Sequence, residues 1–291
     1  MGIEILIIIA CVPLYVVNSF CDKHISTKKN NYFSNIYNCI KFLMVSICFL
    51  PMFLIDESPK FTYGVILCGI GCGILYASSK IIILKGYENS SIAFINLCHC
   101  AGMLIPCIVG HFLWDEKLTI LSVFGIFMTI VSIVLLKSSP QSDNKIKISG
   151  IIMGIFVFLT SGGIMVCQKI MGIYFNGESV SAYNFYSFLL SFLMMSSFVC
   201  FSPNKPENKE NIKKKSLLLC AIGSAISLCI INFVMTTLAG SIPSIILFPL
   251  YNGLCIVSVC IGSAIIFKEK LTKKNIIGLI LGLVGLCLVN L

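Results

Sequence analysis

Apolar runs of about 18 to 23 residues, parted by short polar breaks, recur along the whole chain, and a helix of that length crosses a hydrocarbon core of roughly 30 Å. They fall at residues 3–20, 36–55, 62–84, 91–113, 119–136, 148–167, 182–201, 216–238, 243–266 and 275–290. Barrel strands would be about half as long and would alternate in polarity, which these runs do not. The chain therefore reads as an all-α integral membrane protein with ten transmembrane helices, called here spans 1 to 10, and no soluble domain left over. Composition excludes the soluble alternative. With 57% hydrophobic residues, 11% charged residues and a mean hydropathy of +0.98, a soluble fold would lack the polar surface to cover itself.

One phrase is used twice. Phe112-Leu113-Trp114-Asp115-Glu116-Lys117-Leu118-Thr119 leads into an apolar run carrying Gly125, Thr129 and Ser132, and Ile265-Ile266-Phe267-Lys268-Glu269-Lys270-Leu271-Thr272 into one carrying Gly278, Gly282 and Gly285. Glu116 and Glu269, Gly125 and Gly278, Ser132 and Gly285 each stand 153 residues apart. Register kept across a charged loop and the small-residue face of the next helix marks two copies of one unit. The first five-helix copy is 1–137, the linker 138–147 and the second copy 148–291. Five is odd, so the second copy enters the membrane from the opposite side, as an inverted-topology repeat.

Loop charges agree with the inversion. The loop after span 2, Asp56-Glu57-Ser58-Pro59-Lys60, is net negative, while its equivalent after span 7 holds Lys205, Lys209, Lys213, Lys214 and Lys215 against Glu207 and Glu210. Loops after odd spans carry 16 lysines and those after even spans three, Lys60, Lys117 and Lys169. Positive loops face the cytoplasm, which puts both termini on the outer face of the plasma membrane.

Polar side chains at membrane depth are costly unless they face protein or water, so they nominate a site. In span 3, Tyr76 and Lys80 stand at i, i+4 on one face. Lys80 is read either as an anchor for a solute carboxylate or phosphate or as a lysine snorkelling to the interface. Span 4 places Asn96 and His99 at i, i+3, with Met103 and Pro106 beyond, and His99 is the group there that ordinarily titrates near neutral pH. It is the candidate for a coupling proton, with a plain interhelical hydrogen bond as the alternative. Span 8 buries Asn232. Span 9 is interrupted by Phe248-Pro249-Leu250-Tyr251-Asn252-Gly253, and the 153-residue register matches Pro249 to Asn96 and Asn252 to His99. Loosened helices at matching points of two repeats point to a central binding site, although proline can also be a packing kink. The expected solute site is thus Tyr76, Lys80, Asn96, His99, Asn232, Pro249, Tyr251 and Asn252.

Other chemistries are disfavoured. Cys98-His99-Cys100 fan out about 100° apart on a helix and cannot converge on one metal, so no metal or cofactor is expected. All 21 basic residues are lysine and the formal charge of +9 lies in loops, which suits lipid headgroups rather than nucleic acid. No Gly-x-x-x-x-Gly-Lys-Ser/Thr loop suggests ATP drive. The one acid near a span interior is Glu4, short of the paired carboxylates or nucleophile and base that an intramembrane enzyme needs. The start lacks a positive segment ahead of its apolar run, so span 1 is expected to remain in the mature protein. The glycines of span 10 read as a packing or homodimer face.

Ten helices in two five-helix copies, each with Glu-Lys-Leu-Thr before a final helix that opens on a glycine, resemble the drug/metabolite transporter superfamily and, within it, the EamA-like transporters. The resemblance covers essentially the whole chain. It implies a secondary carrier in which spans 1 to 4 and 6 to 9 surround a midplane cavity and spans 5 and 10 lie at the periphery. The expected function is movement of a small polar metabolite, amino-acid-like or otherwise anionic or zwitterionic, by alternating access. The partners would be that solute, the bilayer, and a second copy of the chain through span 5 or span 10. Relatives are usually drawn with both termini in the cytoplasm, whereas the lysines of this chain place them outside. An intramembrane enzyme and a non-transporting scaffold are the alternatives.

Overall fold

The computed structural model describes residues 2–26, 31–57, 61–89, 92–117, 119–137, 148–175, 179–201, 214–266 and 273–289. Among these residues every regular element is an α-helix. In chain order they are α1 (Gly2–Ser26), α2 (Asn31–Ile55), α3 (Tyr63–Asn89), α4 (Ile92–Ala101), α5 (Leu104–Trp114), α6 (Ile120–Lys137), α7 (Ile148–Tyr174), α8 (Val180–Cys200), α9 (Lys214–Ser241), α10 (Ser244–Ile266) and α11 (Lys273–Val289). Six of them, α1, α2, α3, α7, α8 and α9, are long and apolar enough to cross a bilayer, and shorter apolar stretches cover Cys98–Trp114, Ile120–Ser132 and Ser244–Val259. Large apolar side chains on the outer surface, among them Phe127, Ile152, Phe156 and Leu219, stay exposed, as lipid contact requires. The linker 138–147, most of the lysine-rich loop after α8 and the second Glu-Lys-Leu-Thr lie outside the described residues.

Span 4 is two helices rather than one. Pro106 has no N–H to offer the carbonyl one turn earlier, that of Gly102, and Gly102 O accepts from Ile105 N instead, at 3.0 Å. The chain closes the break with Met103 N donating to Cys100 O at 3.2 Å. Glycine is needed at the break because a Cβ on Gly102 would collide with Ser161 Oγ and come within 2.9 Å of Gly162 N. α10 runs unbroken through Pro249. The equivalent span is therefore broken in the first copy and continuous in the second.

Most of the packing is kept when the two copies are exchanged, although α7 packs on α9 where α1 and α3 barely touch. α2 packs on its counterpart α8 and α6 on its counterpart α11, while α3 against α7 and α8 mirrors α9 against α1 and α2, and α4 on α7 mirrors α10 on α1. Small residues set the closest approaches. A Cβ on Gly73 would lie 2.6 Å from Ser187 O, and one on Gly172 would run into the backbone of Gly240.

α6 and α11 meet through the faces that the repeat register pairs. Ser132 Oγ donates to Gly278 O at 2.5 Å, and a Cβ on Gly285 would stand 2.8 Å from both Gly125 O and Thr129 Oγ1. A homodimer through span 5 or span 10 would have to use the outer apolar faces of α6 and α11, because their small-residue faces cover each other. Gly282→Leu should wedge this seam, since a Cβ there already meets Ser132 Oγ, and overpacking of this kind costs about 1 to 3 kcal/mol. The unfolding midpoint in detergent should fall while affinity for any bound solute is kept. An equal loss of affinity would place α11 in the solute path.

Candidate functional site

Charge gathers where the end of α1 meets α2, α3 and α9. Tyr37 and Lys41 stand one turn apart on the same face of α2, as Tyr76 and Lys80 do on α3. Asp22, in the penultimate turn of α1, lies between them. Its Oδ1 accepts from Lys41 Nζ at 2.8 Å and from Tyr37 OH at 2.8 Å, and its Oδ2 from Lys80 Nζ at 3.3 Å. Tyr37 OH also shares a 2.7 Å hydrogen bond with Ser224 Oγ of α9, and Lys41 Nζ sits 5.3 Å from the centroid of the Tyr37 ring. Side-chain exposure is 1% for Lys41, 27% for Lys80 and 31% for Asp22. The cluster thus holds two ammonium groups and one carboxylate.

A neutral network lies one turn deeper. Tyr76 OH donates to Asn232 Oδ1, Gln168 Nε2 donates to the same oxygen at 3.0 Å, and Asn232 Nδ2 donates to Leu228 O at 2.8 Å. The Tyr76 ring leans on Phe188 at 5.0 Å and meets Phe42 at 6.4 Å. These contacts tie α3, α7 and α9 together through hydrogen-bonded polar side chains, which is how polar residues are tolerated in an apolar interior.

The third cluster joins the two copies. After α5 the chain turns back at Asp115, whose φ of 50° is left-handed, and this aims Glu116 at α10. Ser244 N, at the first turn of α10, donates to Glu116 Oε2 at 2.7 Å, and Ser244 Oγ donates to Oε1 at 3.3 Å, so the carboxylate caps a helix N-terminus, where anions are favoured. Lys169 of α7 completes the cluster. Its Nζ lies 2.9 Å from Glu116 Oε1 and donates to Ile242 O at 2.8 Å, and the pair is buried at 4% and 10% exposure.

The family model described as the EamA-like transporter family matches residues 2–138 and again residues 148–291. The chain belongs to the EamA-like transporter family. It is therefore, in general terms, a multi-pass membrane transporter of the drug/metabolite transporter superfamily. A solved structure titled only as the crystal structure of a protein is similar to this EamA-like chain, with a TM-score of 0.80 at 14% identity, over 99% of this chain and 96% of that one. At that identity the likeness speaks for the fold alone. Among curated proteins no match was found.

Of the residues nominated by sequence in this EamA-like transporter, Tyr76, Lys80 and Asn232 fall in the polar clusters. Pro249, Tyr251 and Asn252 are buried on α10. There Tyr251 stands edge-on to Tyr15 at 6.1 Å, and Asn252 Nδ2 donates to Phe248 O of its own helix at 2.8 Å. Tyr251 shares an apolar cluster with Cys100 and Met103, so the end of α4 does approach the middle of α10. His99 offers its carbonyl to Ser161 Oγ of α7 at 2.9 Å. Asn96 lies on α4, with its side chain outside the described residues.

Asp22, Tyr37, Lys41, Gln168, Glu116 and Lys169 were not nominated. Two expectations change with them. Glu4 is not the one acid near a helix interior, because α1 extends to Ser26 and encloses Asp22. Lys169 is not a loop lysine, because α7 extends to Tyr174 and buries it. The available signal was Cys21-Asp22-Lys23 matching Cys167-Gln168-Lys169, which places a polar pair at the same point of each copy.

Proposed function

We propose that this transporter is a secondary active carrier that moves a small polar solute, anionic or zwitterionic, by alternating access between two inverted five-helix repeats. The observation that carries this reading is the pair of lysines sharing one carboxylate, with Lys80 the more accessible of the two. Excess positive charge at membrane depth is costly and marks a path for a counter-charged solute. The largely exchangeable packing supports two repeats, and the odd number of spans in each would make them inverted, so that equivalent helices alternate roles in the two access states. Glu116, Lys169 and Ser244 tie the copies at one end, so opening that end has to separate them. His99 remains the candidate for a coupling proton, and Asn96, Pro249, Tyr251 and Asn252 would form the far wall of the site. Screening the unfolding midpoint of the purified protein against metabolite classes tests the reading, because a bound solute stabilises the folded state by mass action. Failure of every class to stabilise it would favour a non-transporting scaffold.

We place the carrier in the plasma membrane with both termini outside, on the lysine bias, and burial of Lys169 leaves only Lys60 and Lys117 in loops on the outer side. In a cysteine-free background, Ser142→Cys should react with an impermeant maleimide only after cells are permeabilised, and Lys117→Cys should react in intact cells. The opposite pattern would reverse the orientation.

A further inference from the structure

The two lysines on Asp22 are not equivalent. Lys41 is enclosed, with its ammonium 2.8 Å from Asp22 Oδ1 and over the Tyr37 ring, and Tyr37 OH donates to the same oxygen. Lys80 makes the longer contact, 3.3 Å to Oδ2, and keeps 27% of its side chain exposed. Asp22 is therefore committed to Lys41, and the charge left over belongs to Lys80. Among the other described titratable groups at this end, exposed His24 lies 3.4 Å from Ser216 Oγ, and Lys85, also exposed, lies 5.8 Å from the Phe198 ring centroid. Among the described residues, the groups in contact with Asp22 leave one positive charge.

Resting on the carrier reading, we infer that Lys80 is the anion-binding group of a site selective for solutes bearing a single negative charge, a carboxylate above all, and that Asp22 sets this valence. A monocarboxylate on Lys80 neutralises the cluster while Asp22 stays with Lys41 and Tyr37. A dianion such as a phosphate monoester leaves one negative charge beside Asp22, and a zwitterion brings an ammonium beside two others. Uncompensated charge in a low-dielectric interior is strongly disfavoured, so valence is discriminated by repulsion as much as by attraction.

The experiment follows the unfolding midpoint of the purified full chain in neutral detergent at fixed ionic strength. The probes are monocarboxylates from acetate to phenylpyruvate, dicarboxylates such as succinate, glycerol phosphate, and free amino acids. For the wild type, the best monocarboxylate should bind on the order of tenfold more tightly than its dianionic or zwitterionic counterparts. Asp22→Asn should reverse the order in favour of dianions, Lys80→Met should remove binding of all, and Lys80→Arg should restore it. Should Asp22→Asn not fold, the wild-type order and the Lys80 pair decide alone. Indifference to valence, a preference for dianions or zwitterions, binding by none of the probes, or an unchanged order in folded Asp22→Asn overturns the inference. Phosphatidylglycerol is titrated separately, because a lipid headgroup carries the same charge. Lys80-dependent stabilisation by that lipid and by no soluble monoanion also overturns it. Valence-selective binding without flux would remove the carrier reading and leave this site, whereas flux without valence selection would do the reverse.

Discussion

Lys169→Met should lower the stability of the folded protein by about 3 to 5 kcal/mol, the range for removing one partner of a buried ion pair. The Glu116 carboxylate would stay buried, held only by the Ser244 N–H and hydroxyl. Glu116→Gln leaves the ammonium buried without a counter-charge, with Ile242 O and a neutral amide oxygen as its acceptors. The double variant, Glu116→Gln with Lys169→Met, should be more stable than either single variant, because no uncompensated charge remains. Unfolding of all four proteins in one detergent gives the coupling energy directly. Additive losses would show that the two side chains act independently and would dismiss the pair as the tie between copies.

Gly172→Leu should abolish the folded state. A Cβ at this position meets the backbone N of Gly240 and stands 2.8 Å from Ala239 C, and backbone, unlike a side-chain end, cannot rotate away. α7 and α9 would be pushed apart next to the Gln168–Asn232 bond and about one helical turn from Lys169, so polar groups would be unsatisfied in an apolar interior, at about 1 to 3 kcal/mol each. Gly223→Leu is the control, since nothing lies within 4 Å of a Cβ there. Size-exclusion profiles of detergent-extracted protein should show a monodisperse peak for the control and none for Gly172→Leu. A normal peak for both would mean that α7 and α9 do not cross so closely.

Much of the fold was legible because the bilayer enforces it. Run length placed the helices, and the 153-residue register anticipated that Gly278, Gly282 and Gly285 would face a partner, which is α6 with Gly125, Thr129 and Ser132. The break in span 4 was half legible: Pro106 announced a loosened helix, but its place at Gly102 depends on Ser161 and Gly162 of a distant helix. The site was read less completely. Tyr76 and Lys80 announce themselves by i, i+4 spacing, yet Asp22, Gln168 and Lys169 lie just past the apolar runs 3–20 and 148–167 and read as loop residues. Those helices continue for one or two more turns, and there the polar side chains find partners on other helices. Glu116 carried a signal as part of the repeated phrase, but a motif cannot say that its carboxylate caps α10 of the other copy.

The central claim, a carrier whose solute is held by Lys80, is tested most directly by counterflow in proteoliposomes. Wild type, Lys80→Ala, His99→Ala and Asn252→Ala would be reconstituted in matched amounts of folded protein and supplied with the monocarboxylate that stabilises wild type best. The account predicts counterflow by the wild type, none by Lys80→Ala, and impaired exchange by the other two. Wild-type rates in all three variants, or no flux of any stabilising solute through the wild type, would contradict it.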